Sequence, residues 1–207
     1  MGIASATATE FVPSAGDVYF SADVETDGPI PGPYSMLSFA FVPAGKFDGR
    51  TFERPAVGGD TFYVQLRPIS DGFEPEALAV NGLDRDALRR EGTDPANAMA
   101  EAASWIARHS GGQKPVLVAY PLSFDWMWLY WYFIRFLGES PFRHSHCFDI
   151  KTAVAVKCKI PVADAGRRSL PEHLQARRAH THHAVDDAIA QAEIFANVFE
   201  LLQRGGA

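Results

Sequence analysis

The chain has 207 residues, of which 47% are hydrophobic and 21% are charged, an ordinary composition for a globular domain with one sizeable core. Its formal net charge of −6 argues against a protein that coats long nucleic acids, because phosphate affinity comes mostly from Lys and Arg. The charge does not exclude a carboxylate site neutralised by bound cations. Cys147 and Cys158 lack the spacing of a zinc motif, which predicts free thiols in a reducing cytoplasm.

Residues 1–17 lack the basic segment and the apolar core of a secretory signal. We therefore predict a loosely ordered leader over 1–17 and one domain over 18–204. The longest apolar run, residues 126–134, is too short to span a bilayer, so no membrane segment is expected.

The first half of the chain predicts strands followed by a helix. Residues 18–25, 35–42 and 61–66 are rich in β-branched and aromatic residues, which predicts three strands of an antiparallel meander. A helix is predicted to begin at Asp94-Pro95 and to end at Gly111-Gly112.

The second half predicts alternating strands and helices. The apolar run 115–120 predicts a strand buried on both faces, followed by a helix over 125–137 and a short strand at 148–150. Apolar residues then recur at spacings of three and four, which predicts a final helix ending at Gly205-Gly206. These elements favour an α/β fold with a mixed five-stranded sheet and helices on both faces.

Two acidic residues lie on the first predicted strand. Asp23 and Glu25 are two residues apart, so their carboxylates project from the same face of the strand. A solvent-facing acidic strand is the simpler interpretation. However, residues 18–22 are too apolar for an exposed strand, which favours acids that emerge at its carboxyl end.

Two further acids lie where later helices begin. Asp125 follows the buried strand and has a plain alternative role as a helix cap. Asp187 lies at the edge of the apolar stripe of the last helix, so it faces the sheet, where a carboxylate needs a partner. Mg²⁺ and Mn²⁺ prefer oxygen ligands, and two such ions hydrolyse phosphodiesters in known sites. A nearby histidine can take a proton from water.

Three short motifs carry a resemblance to a known family. They are the run Asp23-Val-Glu-Thr-Asp-Gly28, the pair Phe124-Asp125 after an apolar strand, and the run His182-x-Ala-x-x-Asp187. In order and separation they resemble the motifs of the DEDDh 3′-5′ exonucleases, DnaQ-like proteins that include RNase T, oligoribonuclease and the epsilon subunit of DNA polymerase III. The similarity extends from Val18 to Leu202.

The resemblance implies a ribonuclease H-like fold and a role for each motif residue. It implies that two Mg²⁺ or Mn²⁺ ions are held by four carboxylates, those of Asp23, Glu25, Asp125 and Asp187. It further implies that His182 is the general base and that Thr26 and Phe124 contact the substrate.

The implied activity is removal of nucleoside 5′-monophosphates from the 3′ end of a single-stranded nucleic acid, DNA or RNA. Alternatives are the same chemistry on very short oligonucleotides, or an inactive nucleic-acid-binding module of the same fold. The chain departs from the common pattern at Tyr120-Pro121, where relatives often carry His-Asn.

Other residue clusters have competing interpretations. Residues 126–133 include six aromatic side chains, which favours a helix in the core, then a homodimer surface, then a surface for base stacking. A histidine cluster lacks the spacing of a structural zinc site; its members are His173, His180, His182 and His183. An arginine cluster is either a phosphate contact or solvated surface; its members are Arg167, Arg168, Arg177 and Arg178.

Overall fold

A computed structural model describes residues 16–56, 59–178 and 181–204. The strands are β1 (Asp17–Thr26), β2 (Met36–Phe47), β3 (Phe52–Glu53), β4 (Phe62–Gln65), β5 (Lys114–Ala119) and β6 (Cys147–Asp149). The helices are α1 (Pro75–Asn81), α2 (Arg85–Glu91), α3 (Pro95–Ser110), α4 (Leu122–Leu137), α5 (Ile150–Cys158) and α6 (Ala184–Arg204). Three 3-10 turns lie between α5 and α6, at Val162–Asp164, Arg167–Ser169 and Glu172–Leu174.

A mixed sheet is the centre of the fold. Strand β1 pairs with β2 in the antiparallel sense and with β5 in the parallel sense, and β6 continues the sheet beyond β5. Strands β3 and β4 both pair with β2, so the predicted meander is present as β1, β2 and β4. The sheet has six strands and not the predicted five, because the two-residue β3 is too short to show a periodic pattern.

Helices cover both faces of the sheet, as predicted, and the alternation of side chains along β1 decides what each face contains. Val18, Phe20 and Ala22 pack with residues of α3 and α4, whereas Tyr19 packs with Phe195 and other residues of α6. Because strand side chains alternate, Asp23 and Glu25 lie on the same face as Tyr19. Both acids therefore project toward the α6 side of the sheet.

The aromatic helix α4 is only partly in the core. Trp128, Tyr132 and Phe133 are fully buried, which confirms the core interpretation for these three residues. The Tyr132 hydroxyl accepts a hydrogen bond from the Met36 amide at 2.7 Å, which satisfies a buried polar group. Trp126, on another face of the helix, is only partly buried.

Local signals explain where the helices begin and end. The Asp94 side chain accepts hydrogen bonds from two amides in the first turn of α3, and Gly111 ends that helix with a φ of 55°.

Of the predicted leader 1–17, residues 1–15 lie outside the described residues, and Asp17 is the first residue of β1. The predicted stop at Gly205-Gly206 also lies outside them. No helix in the described ranges has the length and apolarity needed to cross a membrane.

Candidate active site

Three acidic side chains meet where β1 ends beneath the first turn of α6. One carboxylate oxygen from each of Asp23, Glu25 and Asp187 lies within 4.8 Å of the others. Within the described ranges this is the only group of three or more side chains found that could hold a metal ion. Carboxylate oxygens are hard ligands of the kind that Mg²⁺ and Mn²⁺ prefer, so the donor set fits a divalent cation.

Asp125 borders this group from the first turn of α4. Helix α4 begins at Leu122, three residues earlier than predicted, so Asp125 is not the helix cap. Its Oδ1 accepts a hydrogen bond from the backbone amide of Val24 at 3.1 Å. Since Val24 lies between Asp23 and Glu25, this bond holds the Asp125 carboxylate beside theirs.

Burial and mutual repulsion make these carboxyl groups weak acids in the metal-free protein. Burial raises the pKa of Glu25 from 4.5 to about 8, with further contributions from the charges of Asp187 and Asp125. Burial likewise raises the pKa of Asp125 to about 7. The pKa of Asp23 is raised well above its ordinary value, first by burial and then by its acidic neighbours. A bound cation would remove the repulsion that favours these protons.

We predict that the metal-free protein becomes less stable as the pH rises. The folded state holds protons on Glu25 and Asp125 that the unfolded chain has lost, so stability falls between about pH 4 and about pH 8. Excess Mg²⁺ should reverse this loss at the upper end, by about 2.7 kcal/mol at a hundredfold excess over Kd, or roughly 5–10 °C in Tm. Thermal unfolding across this pH range, with and without Mg²⁺, checks it. A Tm increase by Mg²⁺ that does not grow with pH would contradict the prediction.

Gln191 holds the acid group together, and sequence reasoning missed it. Its Nε2 donates to Asp23 Oδ1 at 2.8 Å and to the Ala22 carbonyl at 3.2 Å, while its Oε1 accepts from the Tyr120 amide at 2.6 Å. It is fully buried and lies four residues after Asp187, on the same face of α6. The signal that could have found it is an uncharged polar residue within the apolar stripe.

Replacing Gln191 with Leu should weaken Mg²⁺ binding roughly 10–100-fold, because Asp23 loses the amide that orients it. The free energy of unfolding should fall by about 1–3 kcal/mol, since the buried Tyr120 amide loses its partner. Calorimetric titration with Mg²⁺ measures the change in affinity, and denaturant unfolding without Mg²⁺ measures the change in stability. The control is Gln203→Leu, at an exposed position near the end of α6. Unchanged Mg²⁺ affinity in a less stable Gln191 variant would reduce this residue to a purely structural role.

His182 lies in the loop immediately before α6. Its side chain is exposed, and its backbone is left-handed with φ 56°, a conformation in which histidine is several-fold enriched among non-glycine residues. The preceding residue, Thr181, donates its amide to Asp187 Oδ1 at 3.0 Å. The loop that carries His182 is therefore attached directly to the acid group. The neighbouring His183 contacts the Tyr63 ring, with centroids 5.1 Å apart.

The two predicted substrate contacts differ in their surroundings. The Thr26 side chain is buried, and its hydroxyl donates to the Gly28 carbonyl at 2.9 Å, so it stabilises the turn after β1. Gly28 is required there, because a Cβ atom would lie 2.2 Å from the Tyr34 ring. Phe124 is 38% exposed and lines an open pocket of about 440 Å³ that Asp23 and Asp125 also line.

Asp27, the third acid of the first motif, has a structural role. Its carboxylate is fully buried and accepts hydrogen bonds from Arg85 Nε at 2.7 Å and from the Ser35 amide at 2.5 Å. The same arginine also donates to the carbonyls of Ser70 and Gly72. This buried ion pair connects α2 to the loop after β1. Because its carboxylate is bound by Arg85, Asp27 is not part of the candidate metal group.

Two solved exonuclease structures align with most of this chain. The nuclease domain of 3'hExo, described as a DEDDh family member bound to rAMP, aligns with a TM-score of 0.65 over 92% of this chain and 93% of that chain, at 16% identity. Escherichia coli exonuclease I in complex with a dT13 oligonucleotide aligns with a TM-score of 0.61 and 17% identity, over 92% of this chain and 42% of that chain. The fold is therefore that of the DEDDh exonucleases, as the motifs predicted.

Sequence similarity places the chain within a family. Residues 46–199 match the family described as 3'-5' exoribonuclease Rv2179c-like domain, and the chain belongs to that family. It is also 32% identical over 193 residues to the Escherichia coli protein named 3'-5' DNA exonuclease Cap18, covering 91% of this chain and 95% of that protein. The predicted enzyme class, a 3′-5′ exonuclease, is confirmed. The family match begins after Asp23 and Glu25, so the placement of these two acids is known here from the geometry.

Proposed function

We propose that this protein removes nucleoside 5′-monophosphates stepwise from the 3′ end of a single-stranded nucleic acid, using two Mg²⁺ or Mn²⁺ ions. The observation that carries the proposal is the cluster of Asp23, Glu25 and Asp187 carboxylates within 4.8 Å, at the end of the central strand of an exonuclease fold. Asp125, bound to the amide of Val24, is the fourth metal-binding carboxylate in this proposal.

Each site residue has a distinct task in this proposal. The four carboxylates hold the cations and, through Gln191 and the Val24 amide, keep a fixed arrangement before substrate arrives. The cations supply activation of the attacking water and neutralisation of phosphate charge. His182 accepts the proton of that water, since imidazole exchanges protons near neutral pH and the loop before α6 leaves this side chain exposed.

The comparisons support nucleic acid as the substrate without favouring one sugar. The family description names an exoribonuclease and the Escherichia coli relative is named a DNA exonuclease, while the aligned structures hold rAMP or dT13. We propose that Phe124 lies against the sugar or base of the strand, because its exposed ring lines the pocket beside Asp125.

Cys147 and Cys158 are both free thiols, which supports a reducing compartment such as the cytoplasm.

A matched pair of 5′-labelled DNA and RNA strands tests the proposed function. With Mg²⁺ or Mn²⁺, either strand should shorten from its 3′ end and give a descending ladder of labelled products. Chelation of the metal should stop the reaction, because the carboxylates alone cannot activate water. Internal cuts, or strands that stay intact with both metals, would contradict the proposal.

A further inference from the structure

The pocket beside the acid group contains charges of both signs. Asp23 and Asp125 line it, and so do Lys151 and Arg167. Its volume of about 440 Å³ is within the usual range for sites that hold small ligands. We propose that Lys151 and Arg167 bind a second phosphate of the nucleic acid strand, adjacent on the 5′ side to the phosphate that is cleaved. This inference rests on the exonuclease function proposed above.

Lys151 lines the pocket, and its ammonium has no partner among the residues that the structure describes. It lies in the first turn of α5 and is only partly exposed. Across the described ranges, no residue forms a hydrogen bond or an ion pair with it. An ammonium has three N–H donors, so an anion entering the pocket would meet a favourable partner.

Arg167 reaches the same pocket from a different element, the second 3-10 turn. Its guanidinium lies 5.8 Å from the centroid of the Tyr120 ring, and its Nη2 donates to the Tyr120 carbonyl at 3.4 Å. The Tyr120 hydroxyl in turn donates to the Ala165 carbonyl at 2.9 Å, which secures the turn that carries the arginine. A guanidinium has five N–H donors in a planar fork, so Arg167 can keep these contacts and also bind a phosphate.

Asp149 fixes the elements that surround the pocket. One of its oxygens accepts a hydrogen bond from the Leu122 amide at 3.0 Å, and the other accepts from the Thr152 amide at 3.1 Å. These bonds join the first turn of α4, which carries Asp125, to the first turn of α5, which carries Lys151. The cationic and anionic parts of the pocket are therefore held together before a ligand binds, which lowers the entropic cost of binding.

The identity of the second phosphate follows from the substrate's chemistry. In the proposed function, the acid group and its cations take the scissile phosphate. The 3′-terminal nucleotide has no other phosphate, because its own 3′ oxygen is a free hydroxyl. Any further phosphate bound by the protein must therefore belong to a linkage on the 5′ side. Lys151 and Arg167 share the pocket with Asp23 and Asp125, so they are placed to bind the nearest such phosphate.

The test compares the double variant Lys151→Gln/Arg167→Gln with the wild type on two substrates. One is a short oligonucleotide, and the other is the p-nitrophenyl ester of thymidine 5′-monophosphate, which has a single phosphodiester. The KM for the oligonucleotide should rise roughly tenfold or more, with loss of charge-assisted hydrogen bonds. The KM for the ester should change several-fold less than the KM for the oligonucleotide, because the ester has no second phosphate for these side chains to bind. The slope of log kcat/KM against log salt should become shallower by about 0.7 for the lost phosphate contact.

A second oligonucleotide identifies the phosphate. When the linkage next to the scissile one is a neutral methylphosphonate, the KM of the wild type should rise about as much as the double substitution raises it on the normal strand. The KM of the double variant should not rise further on the methylphosphonate strand. The matched control is Lys157→Gln/Arg168→Gln, which removes the same charge from the same two elements at side chains that do not line this pocket.

Three results would overturn the inference: equal losses on the ester and the oligonucleotide, an equal loss in the control variant, or a methylphosphonate effect that persists in the double variant. If the wild type cleaves neither substrate, the proposed function fails instead. The affinities of the same strands for the same variants are then measured by fluorescence anisotropy of a labelled oligonucleotide. This measurement tests the phosphate site independently of catalysis.

Discussion

Asp187→Asn is expected to weaken divalent-cation binding severely and to cause a large loss of exonuclease activity. Asp187 is fully buried and contributes one of the three carboxylate oxygens that lie within 4.8 Å of one another. Asparagine keeps the shape of the side chain but removes the charge that attracts the cations. Metal ions supply several kcal/mol of transition-state stabilisation, so turnover should fall by roughly 10²–10⁴-fold or more. Calorimetric titration with Mn²⁺ and a single-turnover assay measure the two losses.

The adjacent residue provides a matched control for this substitution. Asp186 is partly exposed and makes its contacts away from the acid group, with Thr181 Oγ1 at 3.4 Å and Arg178 at 3.8 Å. Asp186→Asn removes the same charge one position away and should leave cation binding and turnover unchanged. If the two variants behave alike, the assignment of Asp187 to the metal site is wrong.

His182→Ala is expected to lower turnover by roughly 10²–10⁴-fold, the usual contribution of a positioned general base. Cation binding should be retained, because this side chain is exposed in the loop before α6 and lies outside the group of Asp23, Glu25 and Asp187. Activity in the variant should rise with hydroxide concentration, since no imidazole is left to take the proton. Turnover measured across a range of pH, together with Mn²⁺ titration, separates the two roles.

The control for this second substitution is His183→Ala. His183 is the next residue, and it contacts Tyr63 and Asp186 and not the acid group. We expect the His183 variant to keep its activity and its pH profile. Undiminished turnover in the His182 variant would refute the base assignment, and parallel loss of cation binding would make the residue structural.

Sequence periodicity was sufficient to predict the faces on which three of the acids lie. The two-residue alternation along β1 put Asp23 and Glu25 on one face, and the helical spacing in α6 turned Asp187 toward the sheet. Both inferences use only the geometry of a single element. The three residues come together because β1 is the central strand, with α6 packed against the face that these acids share.

Contacts between elements far apart in sequence could not be predicted in this way. Asp125 had the sequence context of a helix cap, yet its carboxylate binds the amide of Val24 on a strand remote along the chain. Gln191 has no motif of its own, and its role depends on hydrogen bonds to Ala22 within β1 and to Tyr120 immediately after β5. No periodic pattern in the sequence predicts which backbone amide a side chain will contact on another element.

The sequence indicated a phosphate contact or solvated surface for four arginines and could not distinguish among them. The four arginines at 167, 168, 177 and 178 had equivalent patterns in the sequence, but only Arg167 lines the pocket with Asp23 and Asp125. Lys151 had no role of its own assigned from the sequence, because its neighbours along the chain do not indicate a pocket. Their shared pocket arises from the packing of α5 and the 3-10 turns around the start of α4.

Anomalous diffraction from crystals soaked in Mn²⁺ tests the central claim most directly. We predict two manganese peaks separated by about 3.5–4 Å, the spacing found in two-metal nucleases. Both should be coordinated by carboxylates from the set Asp23, Glu25, Asp125 and Asp187. Manganese bound only at other sites, or no peak beside these carboxylates at saturating Mn²⁺, would contradict the proposed metal centre.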